Sequence, residues 1–289
     1  MSATHVGRVG VVGLGTMGAG IAQVCVQAGI ETVGREVSEE LCERARERIA
    51  HYLGRGVEKG RLTAEERDAA LARLTTTTEV ADLAGCDLVI EAVVEELDVK
   101  RALFRELEPV VGEDVVLATN TSALSVTAVA QATERPERVV GMHFFNPAPM
   151  LPLVEVVRTE VSAEDAVETA YALAERLGKE PIRCNDTPGF VVNRILIPLL
   201  NDCVRVLEEA GVSPEDLDKA MTHGVNWPIG PCALIDLIGV DVHVHASEAL
   251  HAALGETRMA PPERLVRMRD EGLLGRKSGA GFFRYEEGR

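Results

Sequence analysis

The chain has 289 residues, 46% hydrophobic and 26% charged, which are the proportions of a folded globular protein of more than one hydrophobic core. Thirty basic against 46 acidic side chains leave a net charge of −16, and aromatics make up only 3%, so nucleic acid and anionic membranes are disfavoured as general partners. The six cysteines (Cys25, Cys42, Cys86, Cys184, Cys203, Cys232) form no C-x-x-C pair, which argues for reduced thiols, a cytoplasmic location and neither a zinc cluster nor a disulfide framework.

No basic-then-apolar leader precedes the first strand, and no apolar run approaches the roughly 20 residues of a membrane span. In chain order, β-branched runs predict strands at 8–12, 32–36, 88–92, 115–119 and 139–145, and a further strand begins at Leu153 after a proline-bearing turn. Between them, amphipathic spacing predicts helices at 17–28, stopped by Gly29, and at 39–53, 64–73 and 98–111. This alternation is that of a mostly parallel sheet with crossover helices. Past Pro188 the strand signals stop, and helical periodicity covers 190–209, 214–222, 233–254 and 262–271. A boundary at Asp186-Thr187-Pro188-Gly189 therefore separates an α/β domain, residues 1–187, from a smaller all-helical one, residues 188–289.

Directly after the first strand comes Gly13-Leu14-Gly15-Thr16-Met17-Gly18, opening an amphipathic helix. Glycines at this spacing are weak evidence alone, but a strand before and a helix after them match a dinucleotide loop in a Rossmann-type, doubly wound fold. Gly13 permits the tight turn, Gly15 lets a pyrophosphate approach the backbone, and Gly18 lets helix and strand pack closely, while the helix end offers N–H groups and a positive dipole. Glu36 ends the next strand, where a carboxylate accepts from the adenosine ribose. It favours NAD over NADP, since a 2′-phosphate ~4 Å away would cost roughly 1–4 kcal/mol. Arg35 is the complication, a guanidinium able to take that phosphate, although strand alternation points it to the opposite face.

Thr119-Asn120-Thr121-Ser122 ends a predicted strand at the carboxyl edge, where ligands bind in such sheets. His143-Phe144-Phe145-Asn146-Pro147 ends another, and the following turn can bring Glu155 back beside His143. An imidazole oriented by a carboxylate suits proton removal from an alcohol as hydride leaves. The same residues fit a half-buried structural histidine equally well.

The strings GLGTMGAGIAQ, DLVIEAVVEE, NTSALS, GMHFFNPAPMLPLVEVV, DTPGFVVNRIL and GRKSGAGFF, spread in this order along the chain, resemble the 3-hydroxyacyl-CoA dehydrogenase family in its short bacterial 3-hydroxybutyryl-CoA dehydrogenase branch. The resemblance implies that His143 is the catalytic base in oxidation and Glu155 its orienting partner, with Ser122 and Asn193 holding the substrate oxygens. It also implies that Glu95, Lys100, Asn120 and Lys277 join the glycine loop and Glu36 at the cofactor. Lys59, in the basic segment Arg55–Arg61, matches the family's lysine on coenzyme A, and Asn146 falls with the substrate. Two departures stand out: Glu36 replaces the usual Asp, and Tyr52 stands where the family has a Ser, so Lys59 also reads as part of a solvated charge run.

The expected activity is oxidation of a short (S)-3-hydroxyacyl-CoA to the 3-ketoacyl-CoA by a homodimer. Alternatives are the same chemistry on an acyl carrier protein or on a free hydroxy or sugar acid, and an inactive NAD-binding or structural relative. Asp241 and His245 share a helical face but lack further ligands, so no metal is expected. Trp227 is expected to be a packing residue.

Overall fold

Residues such as Val9, Val11 and Val12 are apolar in succession because their strand is covered on both faces, the condition of a central parallel strand. A computed structural model describes residues 6–285, which divide into two compact units at Thr187/Pro188. The first unit runs β1 (Arg8–Val12), α1 (Thr16–Gln27), β2 (Glu31–Arg35), α2 (Glu39–Glu58), α3 (Ala64–Ala72), β3 (Leu74–Thr77), β4 (Leu88–Glu91) and α4 (Leu97–Leu107). It continues with β5 (Val116–Thr119), α5 (Val126–Ala130), β6 (Val139–Phe144), β7 (Leu153–Arg158), α6 (Glu164–Arg176) and β8 (Glu180–Asn185). Local chemistry sets several boundaries: Ser38 and Ser125 cap α2 and α5, and Thr63 with Glu66 forms a reciprocal capping box on α3.

The strands form one sheet in the order β3-β2-β1-β4-β5-β6-β7-β8, parallel except where β6 meets β7. That pair is antiparallel because a short turn, not a crossover helix, joins it. The strand order reverses between β1 and β4, which makes a switch point at their carboxyl ends. Val9, Val11, Ile90, Met142 and Val156 of the sheet pack with Ile21, Cys25, Ala170 and Leu173 of the covering helices in one core.

Two strands, β3 and β8, are absent from the sequence expectation, and both are sheet edges. Edge strands need no continuous apolar run: β3 reads LTTT, and β8, with Pro181 inside it, is nowhere fully buried. Helix α6 also goes unanticipated, because its buried face is built largely from alanines, Ala166, Ala170 and Ala174, which carry little apolar signal.

The second unit holds α7 (Val192–Ala210), α8 (Pro214–Gly224), α9 (Pro231–Ile238), α10 (Val240–Leu254) and α11 (Glu263–Asp270). The helix expected over 233–254 is two, because Gly239 sits at φ 105°, outside any helix. Leu200, Val204, Ile235, Val244 and Leu265 form its core, and Trp227 packs against it. The segment from Phe282 to Tyr285 is held by Asp236, whose carboxylate accepts from the Phe282 and Phe283 N–H groups and the Tyr285 hydroxyl. Among the described residues no helix is long and apolar enough to cross a membrane.

Candidate active site

The glycine loop leaves the end of β1 with Gly13 at φ 85°, and a Cβ there would lie 2.9 Å from the Ala92 carbonyl after β4. A Cβ at Gly18 would run into the Gly13 carbonyl oxygen, so α1 can approach the loop only as glycine. Gly15 differs: nothing lies within 4 Å of the place its Cβ would occupy, and it caps α1 without any side-chain hydrogen bond. The first-turn N–H groups of Thr16, Met17 and Gly18 thus face an open cradle, which fits a pyrophosphate. Leu14 is buried and fills the space above Gly34 of β2.

Glu36 lies one residue past β2, half-buried, and its carboxylate accepts from the Leu14 N–H at 2.6 Å and the Val37 N–H at 3.1 Å. It is therefore locked onto the glycine loop with lone pairs still available to ribose hydroxyls. Arg35 is turned elsewhere, its Nε donating to the Thr78 carbonyl at 3.3 Å.

Across the switch point, a buried polar network joins the ends of β4 and β5. Glu91 ends β4 with a fully buried carboxylate that accepts from Lys100 Nζ at 2.6 Å, the Val93 N–H at 2.7 Å and the Thr119 hydroxyl at 2.7 Å. Lys100 Nζ also reaches Glu95 at 3.3 Å. Glu95 in turn accepts from the Thr121 hydroxyl at 2.5 Å and from the Ser122 and Ala123 N–H groups at 2.8 and 3.2 Å. Burial pushes the Glu95 carboxyl up, but the Lys100 charge and the hydrogen bonds from Thr121 and Ser122 outweigh it and hold it below the usual carboxylate range. The Lys100 side chain is only 1% exposed and is held in ion pairs with Glu91 and Glu95, so it positions Glu95 from within the network. Glu91, Thr119 and Thr121 were missed by sequence reasoning. The available signal was a carboxylate inside the apolar run DLVIEAVV, which burial permits only when it is paired.

Asn120 ties β5 to β6: its carboxamide oxygen accepts from the Phe144 N–H at 2.9 Å. The antiparallel register places Glu155 directly opposite His143, and Nδ1 of the buried imidazole meets Glu155 Oε2 at 2.6 Å. The Phe145 ring packs against the imidazole with 4.4 Å between centroids. Glu155 is fully buried, so the pair is shielded from competing water.

From the exposed Thr16 of the glycine loop, a groove of about 640 Å³ runs between the C-terminal half of α2 and the Asn146–Met150 turn. Its wall carries Arg48, Arg55, Lys59 and Arg61 and no carboxylate, a local basic surface on an acidic protein. Tyr52, also on the wall, is exposed, as are Lys59 and Asn146. The opposite wall is held from beneath by Lys179, whose Nζ donates to the Ala148 and Leu151 carbonyls at 2.5 and 3.0 Å.

The remaining expected residues belong to the second unit. Asn193 sits in the first turn of α7, and Lys277 pairs with Asp241 at 2.6 Å.

A phosphate cradle at a switch point and an imidazole–carboxylate pair on the same sheet define a dinucleotide-dependent dehydrogenase. Profiles of the 3-hydroxyacyl-CoA dehydrogenase NAD binding domain and C-terminal domain match residues 8–187 and 189–285. The chain belongs to the 3-hydroxyacyl-CoA dehydrogenase family, and its cofactor is NAD. It is 47% identical over 280 residues to a 3-hydroxybutyryl-CoA dehydrogenase of Mycobacterium tuberculosis, covering 96% of this chain and 98% of that protein. A probable 3-hydroxybutyryl-CoA dehydrogenase of Deinococcus radiodurans is 43% identical over 278 residues, covering 96% and 100%. The solved (S)-3-hydroxybutyryl-CoA dehydrogenase of Ralstonia eutropha superposes with a TM-score of 0.94 at 40% identity, covering 98% of this chain and 100% of that one.

Proposed function

We propose that the protein reversibly oxidises a short (S)-3-hydroxyacyl-CoA, with (S)-3-hydroxybutyryl-CoA as the reference substrate, to the 3-ketoacyl-CoA. The observation that carries this is the buried 2.6 Å contact between His143 and Glu155, held by the β6–β7 register in the unit that also bears the glycine loop. NAD supplies the hydride acceptor. His143 takes the hydroxyl proton through Nε2, the ring nitrogen turned away from Glu155, and returns it in the reverse direction. Glu155 orients the ring through Nδ1 and balances the charge of the protonated imidazole. Gly13, Leu14, Gly15, Thr16, Met17, Gly18 and Glu36 hold the adenosine and pyrophosphate part of the cofactor, and Asn120 and Glu95 serve its other end. Ser122 holds the substrate oxygen. Motif resemblance alone supports the same role for Asn193 and a cofactor contact for Lys277.

Coenzyme A as carrier is supported by the basic groove, because its phosphates need positive charge that a surface of net charge −16 otherwise lacks. Lys59 and Arg61 meet the phosphates, Asn146 lies along the acyl path, and Tyr52 offers an aromatic face to the adenine, where the family's Ser is replaced. Loss of reduced-nicotinamide absorbance on adding acetoacetyl-CoA with NADH tests the function, with acetoacetyl-acyl carrier protein and free acetoacetate as parallel arms. No turnover of acetoacetyl-CoA would reject it; faster turnover in either other arm would move the substrate to that carrier or acid.

Exposed apolar side chains on the helical unit, among them Ile195, Val206, Leu237 and Val242, support a homodimer. A solution mass near the single chain's 31.1 kDa would overturn it. A cytoplasmic setting is supported by six unbridged cysteines, five of them buried.

A further inference from the structure

We infer that the Glu91–Lys100–Glu95 triad is a charge device that raises this protein's affinity for oxidised relative to reduced cofactor. Two carboxylates share one ammonium: Lys100 Nζ lies 2.6 Å from Glu91 and 3.3 Å from Glu95. Among the described residues the two carboxylates also accept from the Val93, Ser122 and Ala123 N–H groups and the Thr119, Thr121 and Ser122 hydroxyls. Two carboxylates at hydrogen-bonding distance of one ammonium leave the cluster one negative charge in excess. Glu91 and Lys100 are shielded from water, whereas the Glu95 side chain is 29% exposed, so the charge opens to one side only.

That side is where NAD would lie. Glu36, beside β2, would take the adenosine end on one flank of the switch point, and the nicotinamide end would then fall on the other flank, at the ends of β4 and β5, the strands that Glu95 and Ser122 follow. The nicotinamide ring is a cation when oxidised and neutral once it has accepted hydride, two electrons and a proton together. A fixed negative charge beside it stabilises only the oxidised form, and burial protects that term from screening by salt.

Dissociation constants of NAD⁺ and NADH, measured by calorimetry on the full chain, test this without turnover. In Glu91→Gln, which removes one charge and keeps the shape, the NAD⁺-over-NADH affinity ratio should fall roughly three- to thirtyfold. Glu95→Gln, at the more exposed carboxylate, removes the same charge and decides the matter where Glu91→Gln does not fold. Thr119→Val removes a hydrogen bond without charge and should leave the ratio unchanged. Equal weakening of both cofactor forms in the Gln variants, or a similar ratio change in Thr119→Val, would show a purely structural network and overturn the inference. The inference rests on NAD as cofactor, so a wild-type protein that binds neither form would overturn that premise separately.

Discussion

His143 and Glu155 meet because a strand register, not a flexible loop, brings them together, so each should be separable by mutation from the fold. His143→Ala should lower kcat about 10²–10⁴-fold while leaving the NADH dissociation constant unchanged, as read by steady-state kinetics and nicotinamide fluorescence. Glu155→Gln, which keeps a hydrogen-bonding group near Nδ1 but not the charge, should fall between that variant and wild type. Lys100 behaves differently, because its removal leaves Glu91 buried without its counter-ion. Lys100→Met should cost about 3–5 kcal/mol in urea unfolding; a loss below about 1 kcal/mol would mean that Glu91 relaxes without it. Dielectric shielding makes the difference, since a surface ion pair such as Arg44 with Glu40 contributes little.

At the level of elements, the glycine loop shows three glycines serving distinct ends. Gly15 has negative φ and open space around its missing Cβ, so Gly15→Ala should unfold within about 0.5 kcal/mol of wild type yet bind NAD more weakly, because its methyl group enters the pyrophosphate cradle. Gly18→Ala meets the Gly13 carbonyl instead and should lose both stability and cofactor binding. Thermal unfolding and NAD titration of the two variants separate these cases, and parallel losses in both would reject the distinction. The α2 helix shows a similar division of labour. Cys42, Ala45, Ile49 and Leu53 are buried, while Arg48, Tyr52 and Arg55, with Lys59 just past the helix end, line the groove. One amphipathic period thereby builds both core and a basic wall.

For the whole molecule, stability toward acid is set partly in the helical unit. His243 is fully buried, its Nε2 bonded to Asn201 Oδ1 at 2.9 Å and its Nδ1 without a partner among the described residues, and burial pushes its pKa down to about 4. Between about pH 6.5 and 4 the unfolded chain takes a proton on this residue and the folded chain does not. The stabilisation is therefore complete above the unfolded value, declines as pH falls through it, and is fully lost below the folded value, roughly 3 kcal/mol in all. His243→Gln, still able to donate to Asn201, should show a flatter fall of the urea midpoint over this range. An unchanged slope would place the acid sensitivity elsewhere, for instance in carboxylates such as Glu95, whose lowered pKa acts in the same direction.

Central strands, the glycine loop and the helical end of the chain were legible because each leaves a local mark: continuous apolar runs, glycine spacing, and a 3.6-residue period. Edge strands β3 and β8 were not, since half-solvated strands need no apolar run, and neither was α6, whose buried alanines look neutral in sequence. Candidate site residues divide the same way. Gly13, Glu36 and His143 were visible from their position at strand ends, whereas the inward turn of Lys100 and the roles of Glu91, Thr119 and Thr121 depend on partners up to 28 residues away along the chain. The amino-acid sequence by itself determined the dinucleotide fold and the residue types at its carboxyl edge. Only the tertiary structure decided which charges pair, because pairing depends on strand order and burial, which bring distant groups within hydrogen-bond reach and remove the water that would otherwise satisfy each alone.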